Sequence, residues 1–245
     1  MEKEPPPQRA PSLGTPGSDF VAPRLLRNGH AMTLAAAFWP RRFPALPPAE
    51  LWLAEVAPQT RLRLDCHWQA RPDARPALVL VHGLEGSSDS SYMLGTAEKA
   101  WQAGFNVVRM NLRNCGGTEH LTPTLYHSGL SEDVRAVAAR LTEQRRMPEV
   151  HLTGFSLGGN QVLKLAAEWS AAAPAEVASI AAVCPALDLA ACADALERPA
   201  NWLYQRRFLR GLKTRLRRKA LLFLALYSTD GLARARTLRE FDDRF

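Results

Sequence analysis

The residues Gly154-Phe-Ser-Leu-Gly158 spell G-x-S-x-G. A serine in that setting sits on a sharp turn from strand into helix, with its Oγ raised clear of the backbone to attack an acyl carbonyl. The turn is strained, and a side chain at either flank would collide with its surroundings, which accounts for glycine at 154 and 158. Gly159 adds room for the helix to pack on the strand. A hydroxyl is a weak nucleophile near neutral pH until a base takes its proton, and a third group must orient that base. Where such an elbow carries a triad, an acid and then a histidine follow the serine along the chain. Here all six histidines (His30, His67, His82, His120, His127, His151) precede Ser156.

A second motif, His82-Gly83-Leu84-Glu85-Gly86, directly follows an apolar run. Acyl transfer needs two backbone N–H groups converging on the developing oxyanion. The residue after the nucleophile, Leu157, supplies one, and Leu84 in this earlier loop is the candidate for the other. His82 reads as a residue that packs and hydrogen-bonds locally to shape the loop, and His151 as a structural residue of the elbow strand. Asp188 reads as a helix cap in preference to a displaced acid. His127 precedes a helix and is poorly placed in chain order for a base. Lys164 lies about 12 Å along the next helix, too far for a Ser–Lys pair.

The elements that must position these groups are legible as a change of rhythm. Leu51–Ala57 and Arg61–Trp68 read as two strands; in the second, Leu62, Leu64 and Cys66 alternate with Arg61, Arg63 and Asp65, the mark of one wet face. Short apolar runs then follow at 77–81, 106–111, 149–153 and 179–184. Such runs suit parallel strands covered on both faces. Helices fit between them: 91–103, closed by Gly104; 129–146, with Leu130, Val134, Val137, Ala138 and Leu141 on one face; and the segment after the elbow, with Val162, Leu165, Ala166 and Trp169 on one face. Strand-helix alternation predicts a mostly parallel α/β sheet with its site at the carboxyl ends of the strands.

Outside this frame, residues 1–19 are rich in Pro, Gly and Ser and read as a disordered tail. Residues 20–50 read as a loosely ordered lead-in, where Pro40, Pro44, Pro47 and Pro48 exclude a long helix. Residues 198–219 carry nine Arg or Lys and no acid, interleaved with apolar residues, and 201–230 is expected to form a basic, helical, lid-like segment. The 245 residues, 47% of them hydrophobic, suit one large domain over 20–245, and the net charge of +7 raises the question of an acidic partner. No nucleic-acid recognition motif accompanies that charge, so nucleic acid is not expected; contact with an anionic membrane surface suits the basic stretch better. The four cysteines form neither a CxxC nor a metal-ligand spacing, and no metal or cofactor is implied. Without an apolar leader or a run long enough to span a bilayer, the expected location is cytoplasmic, at most peripheral to a membrane.

His82-Gly-Leu-Glu-Gly-Ser-Ser-Asp-Ser-Ser-Tyr92, Arg113-Asn-Cys-Gly-Gly117 and Gly154-Phe-Ser-Leu-Gly-Gly-Asn160 together resemble the YheT-like branch of the α/β-hydrolases, which also includes membrane-anchored animal esterases and acylglycerol lipases. Leu26-Arg-Asn-Gly-His30 followed by Thr33, and Thr237-Leu-Arg-Glu-Phe-Asp-Asp243, resemble flanking segments of that family, so the likeness spans about residues 24–245. The resemblance implies an α/β-hydrolase fold and a serine carboxylester hydrolase acting on short-chain or lipid-like esters, with Ser156 as nucleophile. It places the family's acid, histidine and last strands beyond the position matched by Phe245, so this chain is expected to be weakly active or inactive and to leave an open sheet edge. Acyltransfer through an H-x4-D motif is not implied, because Glu132 stands five residues after His127 and Asp133 one place late. The alternative is a non-catalytic relative that binds a ligand, at a membrane surface or elsewhere.

Overall fold

A computed structural model describes residues 21–245, and the tail expected over 1–19 lies outside the described residues. By contact the chain divides into two units, residues 1–41 and 42–245. The first holds α1 (Gly29–Phe38), capped by Asn28, whose side chain accepts from the N–H groups of His30 (2.9 Å) and Ala31 (3.2 Å). The lead-in is therefore more ordered than expected. The prolines that argue against a long helix begin at Pro40, just past this one, where the pre-proline preference for extended backbone ends it at Trp39.

The second unit is built on a six-stranded sheet in the order β1-β2-β4-β3-β5-β6. The strands are β1 (Glu50–Ala57), β2 (Thr60–His67), β3 (Ala77–Val81), β4 (Asn106–Met110), β5 (Val150–Phe155) and β6 (Val177–Val183). β1 and β2 form an antiparallel hairpin, β2 meets β4 antiparallel, and β4, β3, β5 and β6 run parallel. The helices α2 (Ser91–Gln102), α3 (Ser131–Glu143) and α4 (Leu157–Trp169) connect the parallel strands as crossovers. α2 buries Met93 and Ala97 against Leu80 and Val107 in one layer. α3 and α4 bury Val134, Val137, Leu141, Val162 and Leu165 against Val79, Val81, Val108 and Leu152 in the other. Covering both faces is what makes the central strands continuous apolar runs.

The wet face expected on β2 holds at Arg61, which is exposed, and at Arg63, which is half-buried, but not at Asp65. Asp65 is buried, taking hydrogen bonds from Ser88 Oγ (2.5 Å), Arg63 Nη2 (2.9 Å) and Asn111 Nδ2 (3.3 Å); burial pushes its pKa up, but the bonds from Ser88 and Arg63 and the charges of Arg63 and Arg109 outweigh that and hold the carboxyl below the ordinary range. Alternation revealed the strand but not the loop at 87–89 that covers its polar side.

The basic segment folds as α6 (Trp202–Leu222), preceded by α5 (Leu189–Glu197) and followed by the short α7 (Leu238–Asp242). The helix stops at Leu222, so 223–230 is not helical as expected. Leu209 and Leu216 of α6 pack on Leu232, Ala235, Leu238 and Phe241, a second apolar cluster separate from the sheet's core. Lys219 is fully buried on the same helix, donating from Nζ to the carbonyls of Glu119 (2.9 Å) and Thr122, and burial draws its pKa down to about 8.

β6 borders the sheet, pairing with β5 on one side, and Ala178, Ser179, Ala181 and Val183 are exposed. An unpaired apolar strand edge templates association between chains, and a lysine on it opposes that. Ala181→Lys should therefore raise the soluble, monomeric fraction of the 245-residue chain in size-exclusion chromatography with little change in secondary structure. An unchanged distribution would show that this edge does not drive association.

Candidate active site

The sheet register brings the two sequence motifs together. Val81 pairs with Gly154 on one side and Met110 on the other, so His82 and Gly83 emerge beside the end of β5. Phe155 pairs with Val183, which lays Cys184 and Pro185 on the opposite flank. Ser156, between β5 and α4, takes φ 52° and ψ −115°, a conformation costly for a residue with a side chain. Its neighbours explain how it is held. A Cβ on Gly154 would lie 2.1 Å from the Gly158 carbonyl oxygen, and one on Gly158 would lie 2.5 Å from the carbonyl oxygens of Val81 and His82. Ser156 N–H donates to Val183 O (2.9 Å), while Ser156 O accepts from Asn160 N–H (3.0 Å). The serine itself is exposed.

The loop after β3 is fixed from both ends. His82 is fully buried; its Nδ1 bonds Gly83 O (2.8 Å), and its Nε2 accepts from Leu112 N–H (3.1 Å). Those partners assign the neutral tautomer with the proton on Nδ1. Burial pulls the pKa of His82 down to about 4. Gly83 N–H donates to Tyr92 OH (3.0 Å), and a Cβ on Gly83 would stand 3.0 Å from Ser156 Cβ, so glycine lets the loop approach the serine. Glu85 sits at φ 57°. Its carboxylate accepts from Tyr126 OH (3.1 Å) and pairs with Arg215 Nη2 (3.0 Å), and its N–H donates to Tyr126 OH (3.3 Å).

Leu84 and Leu157 line one cavity with Ser156. No described residue accepts from the Leu84 N–H, and the Leu157 N–H, at the first position of α4, has no intrahelical acceptor. The cavity measures about 710 Å³, and Leu125, Leu196, Phe208, Leu212, Leu238 and Phe241 give it mostly apolar walls from α5, α6, α7 and the loop before α3. It suits an acyl chain in kind and size.

The other candidates are distributed as follows. His127 reaches the cavity wall, but its ring leans on Gly129, whose added Cβ would be 3.3 Å from Nδ1, and no histidine nitrogen among the described residues bonds Ser156 Oγ. Asp188 caps α5 through Ala191 N–H (2.9 Å). His151 bonds Ser179 Oγ (2.8 Å). Lys164 is engaged with Ser131 Oγ (3.1 Å) and Glu168. Among the described residues no group of three or more His, Cys, Asp or Glu side chains could hold a metal ion, and no helix is long and apolar enough to cross a membrane.

Sequence reading missed the cluster of Glu85, Tyr126, Arg215 and Gly211. A Cβ on Gly211 would fall 1.9 Å from Glu85 Oε2, so the carboxylate seats against bare backbone in the middle of α6. The available signal was Gly211 itself, since glycine inside a helix costs about 1 kcal/mol relative to alanine and so implies a packing reason.

This combination of a mostly parallel sheet, a serine at a strained strand-helix turn and a glycine-lined loop beside it places the chain in a known class. Residues 76–245 match the family model for the alpha/beta hydrolase fold, and the chain belongs to that family. It is 30% identical over 231 residues to YheT of Escherichia coli (strain K12), a candidate esterase, covering 92% of this chain and 66% of that protein. It is 30% identical over 172 residues to the phospholipase ABHD3 of Mus musculus, covering 70% of this chain and 41% of that one. The chain thus spans under two thirds of the length of these relatives. Among solved structures it is similar to the Pyrococcus furiosus esterase Pf2001, at 20% identity and a TM-score of 0.48 over 64% of this chain and 61% of that one.

Two measurements check this geometry. Burial also lowers the pKa of His67 to about 4, with Arg109 adding to the effect. Unfolding should therefore take up protons at His82 and His67 below their ordinary 6.5, while the folded chain holds both neutral until about pH 4. The stability these histidines contribute is complete above pH 6.5 and falls as pH drops toward 4. Urea midpoints should decline from pH 7 to pH 5, and His82→Gln should flatten the decline while lowering the midpoint at pH 7; a level profile would refute the assignment. Gly211→Ala should lower the melting temperature despite alanine's better helix propensity. The same change in a Glu85→Gly background should be neutral or stabilising, and equal losses in both backgrounds would exclude the contact.

Proposed function

We propose that the cavity is the acyl site of a serine carboxylester hydrolase acting on short-chain or lipid-like esters. Ser156 forms the acyl-enzyme, and the Leu84 and Leu157 N–H groups receive the oxyanion. The observation that carries this reading is the meeting of an exposed, conformationally strained serine with two uncommitted N–H groups at the wall of an apolar cavity. The names of the relatives, an esterase and a phospholipase, agree with it.

In the reaction, Ser156 Oγ would attack the ester carbonyl while its proton leaves to a base. The carbonyl oxygen would gain charge between the two N–H groups and at the N-terminus of α4, whose dipole favours it. Collapse expels the alcohol and leaves the acyl chain against Phe208 and Leu212; water then releases the acid. Base and orienting acid are the parts the described residues do not assemble around Ser156. Without them the backbone N–H groups and the cavity remain, and such remnants support only slow acylation.

A fluorophosphonate probe tests this directly. The 245-residue chain should label slowly, at Ser156 alone, and Ser156→Ala should abolish the labelling. A longer chain supplying a histidine after Phe245 should label faster by orders of magnitude. Binding of lipid esters with no Ser156-dependent labelling in either form would favour the non-catalytic alternative; fast labelling of the 245-residue chain would mean that a base such as His127 serves after all.

A further inference from the structure

The turn that carries Leu84 is closed by a hydrogen bond from Gly86 N–H to Gly83 O (3.0 Å), which sets Leu84 and Glu85 at its two central positions. Glu85 there has φ 57°. A four-residue turn with positive φ at its third position ordinarily takes glycine or asparagine, because a larger side chain crowds the backbone in that conformation. This turn has a long acidic residue instead, so its side chain must offset the strain through the partners it finds.

Those partners form a closed set. Glu85 Oε1 accepts from Tyr126 OH (3.1 Å) and pairs with Arg215 Nη2 (3.0 Å), and the same tyrosine oxygen accepts from Glu85 N–H (3.3 Å). The Arg215 guanidinium lies over the Tyr126 ring at 5.3 Å, so the two partners brace each other as well. Glu85 Oε2 fills the space above Gly211, one turn earlier on α6. The side chains of Glu85 and Arg215 are each only 12% exposed, and water cannot readily replace either partner. Glu85 does not line the acyl cavity, whereas Leu84 before it does. The helix that anchors Glu85 also supplies Phe208, Leu212 and Leu216 to the cavity wall.

From this geometry we infer that Glu85 is a positioning residue for acyl transfer: anchored to Tyr126 and to Arg215 of α6, it holds the turn in its strained form and so aims the Leu84 N–H at the oxyanion. The inference rests on the reading of Leu84 as an oxyanion donor and adds the residue that fixes that donor in place. Without the anchor, φ at 85 relaxes to the negative side, the Leu84–Glu85 peptide rotates and the turn shifts. A displacement of about 1 Å at such a donor costs on the order of a hundredfold in rate.

The test uses the 245-residue chain and a dodecyl fluorophosphonate, whose phosphoryl oxygen takes the place of the oxyanion. The maximal rate of Ser156 labelling and the dissociation constant of the probe are read separately. Glu85→Ala should slow the maximal rate at least tenfold while changing the dissociation constant less than twofold. Glu85→Gln keeps an acceptor for Tyr126 and Arg215 and should restore most of the rate. Arg215→Gln should slow labelling too, and combined with Glu85→Ala should add nothing to the larger single loss. A Glu85→Ala chain that labels as fast as the parent would overturn the inference. So would a rate that falls only in step with affinity, which would make Glu85 a prop of α6 and the cavity. Losses that add would overturn the route through Arg215. Failure of the esterase reading appears separately, in the parent chain, as absent Ser156 labelling. The amide resonance of Leu84 decides the positioning in that case: it should shift in Arg215→Gln while that of Leu157 holds, and an unmoved Leu84 resonance would overturn the inference whether or not the serine labels.

Discussion

The backbone-to-backbone approach at Gly154 and Gly158 is the constraint on which the rest depends. At 2.1 and 2.5 Å, the distances from a hypothetical Cβ to the facing carbonyl oxygens leave no room for any side chain. That closeness lets β5 turn into α4 within one residue, and it leaves Ser156 to absorb the turn at positive φ. It also brings the end of β3 against the first turn of α4, so the loop carrying Leu84 lies next to the serine. Replacing Gly154 would push the first turn of α4 off β5, and replacing Gly158 would push it off the end of β3; either would disperse the site while the remaining strands still paired.

A second tier of contacts ties the site to the helices that roof it. Glu85 joins the loop after β3 to Tyr126 before α3 and to Arg215 on α6. Desolvating a carboxylate and a guanidinium is costly, and the pair is sustained by the further hydrogen bonds that each partner makes. His82 contributes from below, as a neutral ring whose two nitrogens join the loop to the end of β4. The geometry of the candidate oxyanion site thus depends on residues from four separate stretches of chain.

The sequence made much of this legible, for identifiable reasons. Runs such as Ala77–Val81 and Asn106–Met110 announce buried parallel strands, and G-x-S-x-G announces its own turn, because both patterns follow from local sterics. Asp188 as a cap and His82 as a loop pin were also readable, since their partners lie within a few residues or at a strand end. What failed depended on distant chain. Asp65 alternates like a surface residue but is covered by a loop more than 20 positions away. The arginines of α6 read only as part of a basic lid-like segment, and the fold shows that, of the six, Arg215 and Arg218 are matched to Glu85 and Glu119 while the other four pair with no described carboxylate. The helix at Gly29–Phe38 was hidden by prolines that begin just past its end.

The contact between Glu85 and Gly211 has a consequence for how this chain can vary. The carboxylate occupies the space that a side chain at 211 would need, across 126 positions of sequence. Position 85 can keep a long acidic residue only while position 211 stays bare, and a residue with a Cβ at 211 is compatible only with a shorter one at 85. Single steps from either state pass through a clash or a void, so the two positions are expected to change together among related chains or not at all.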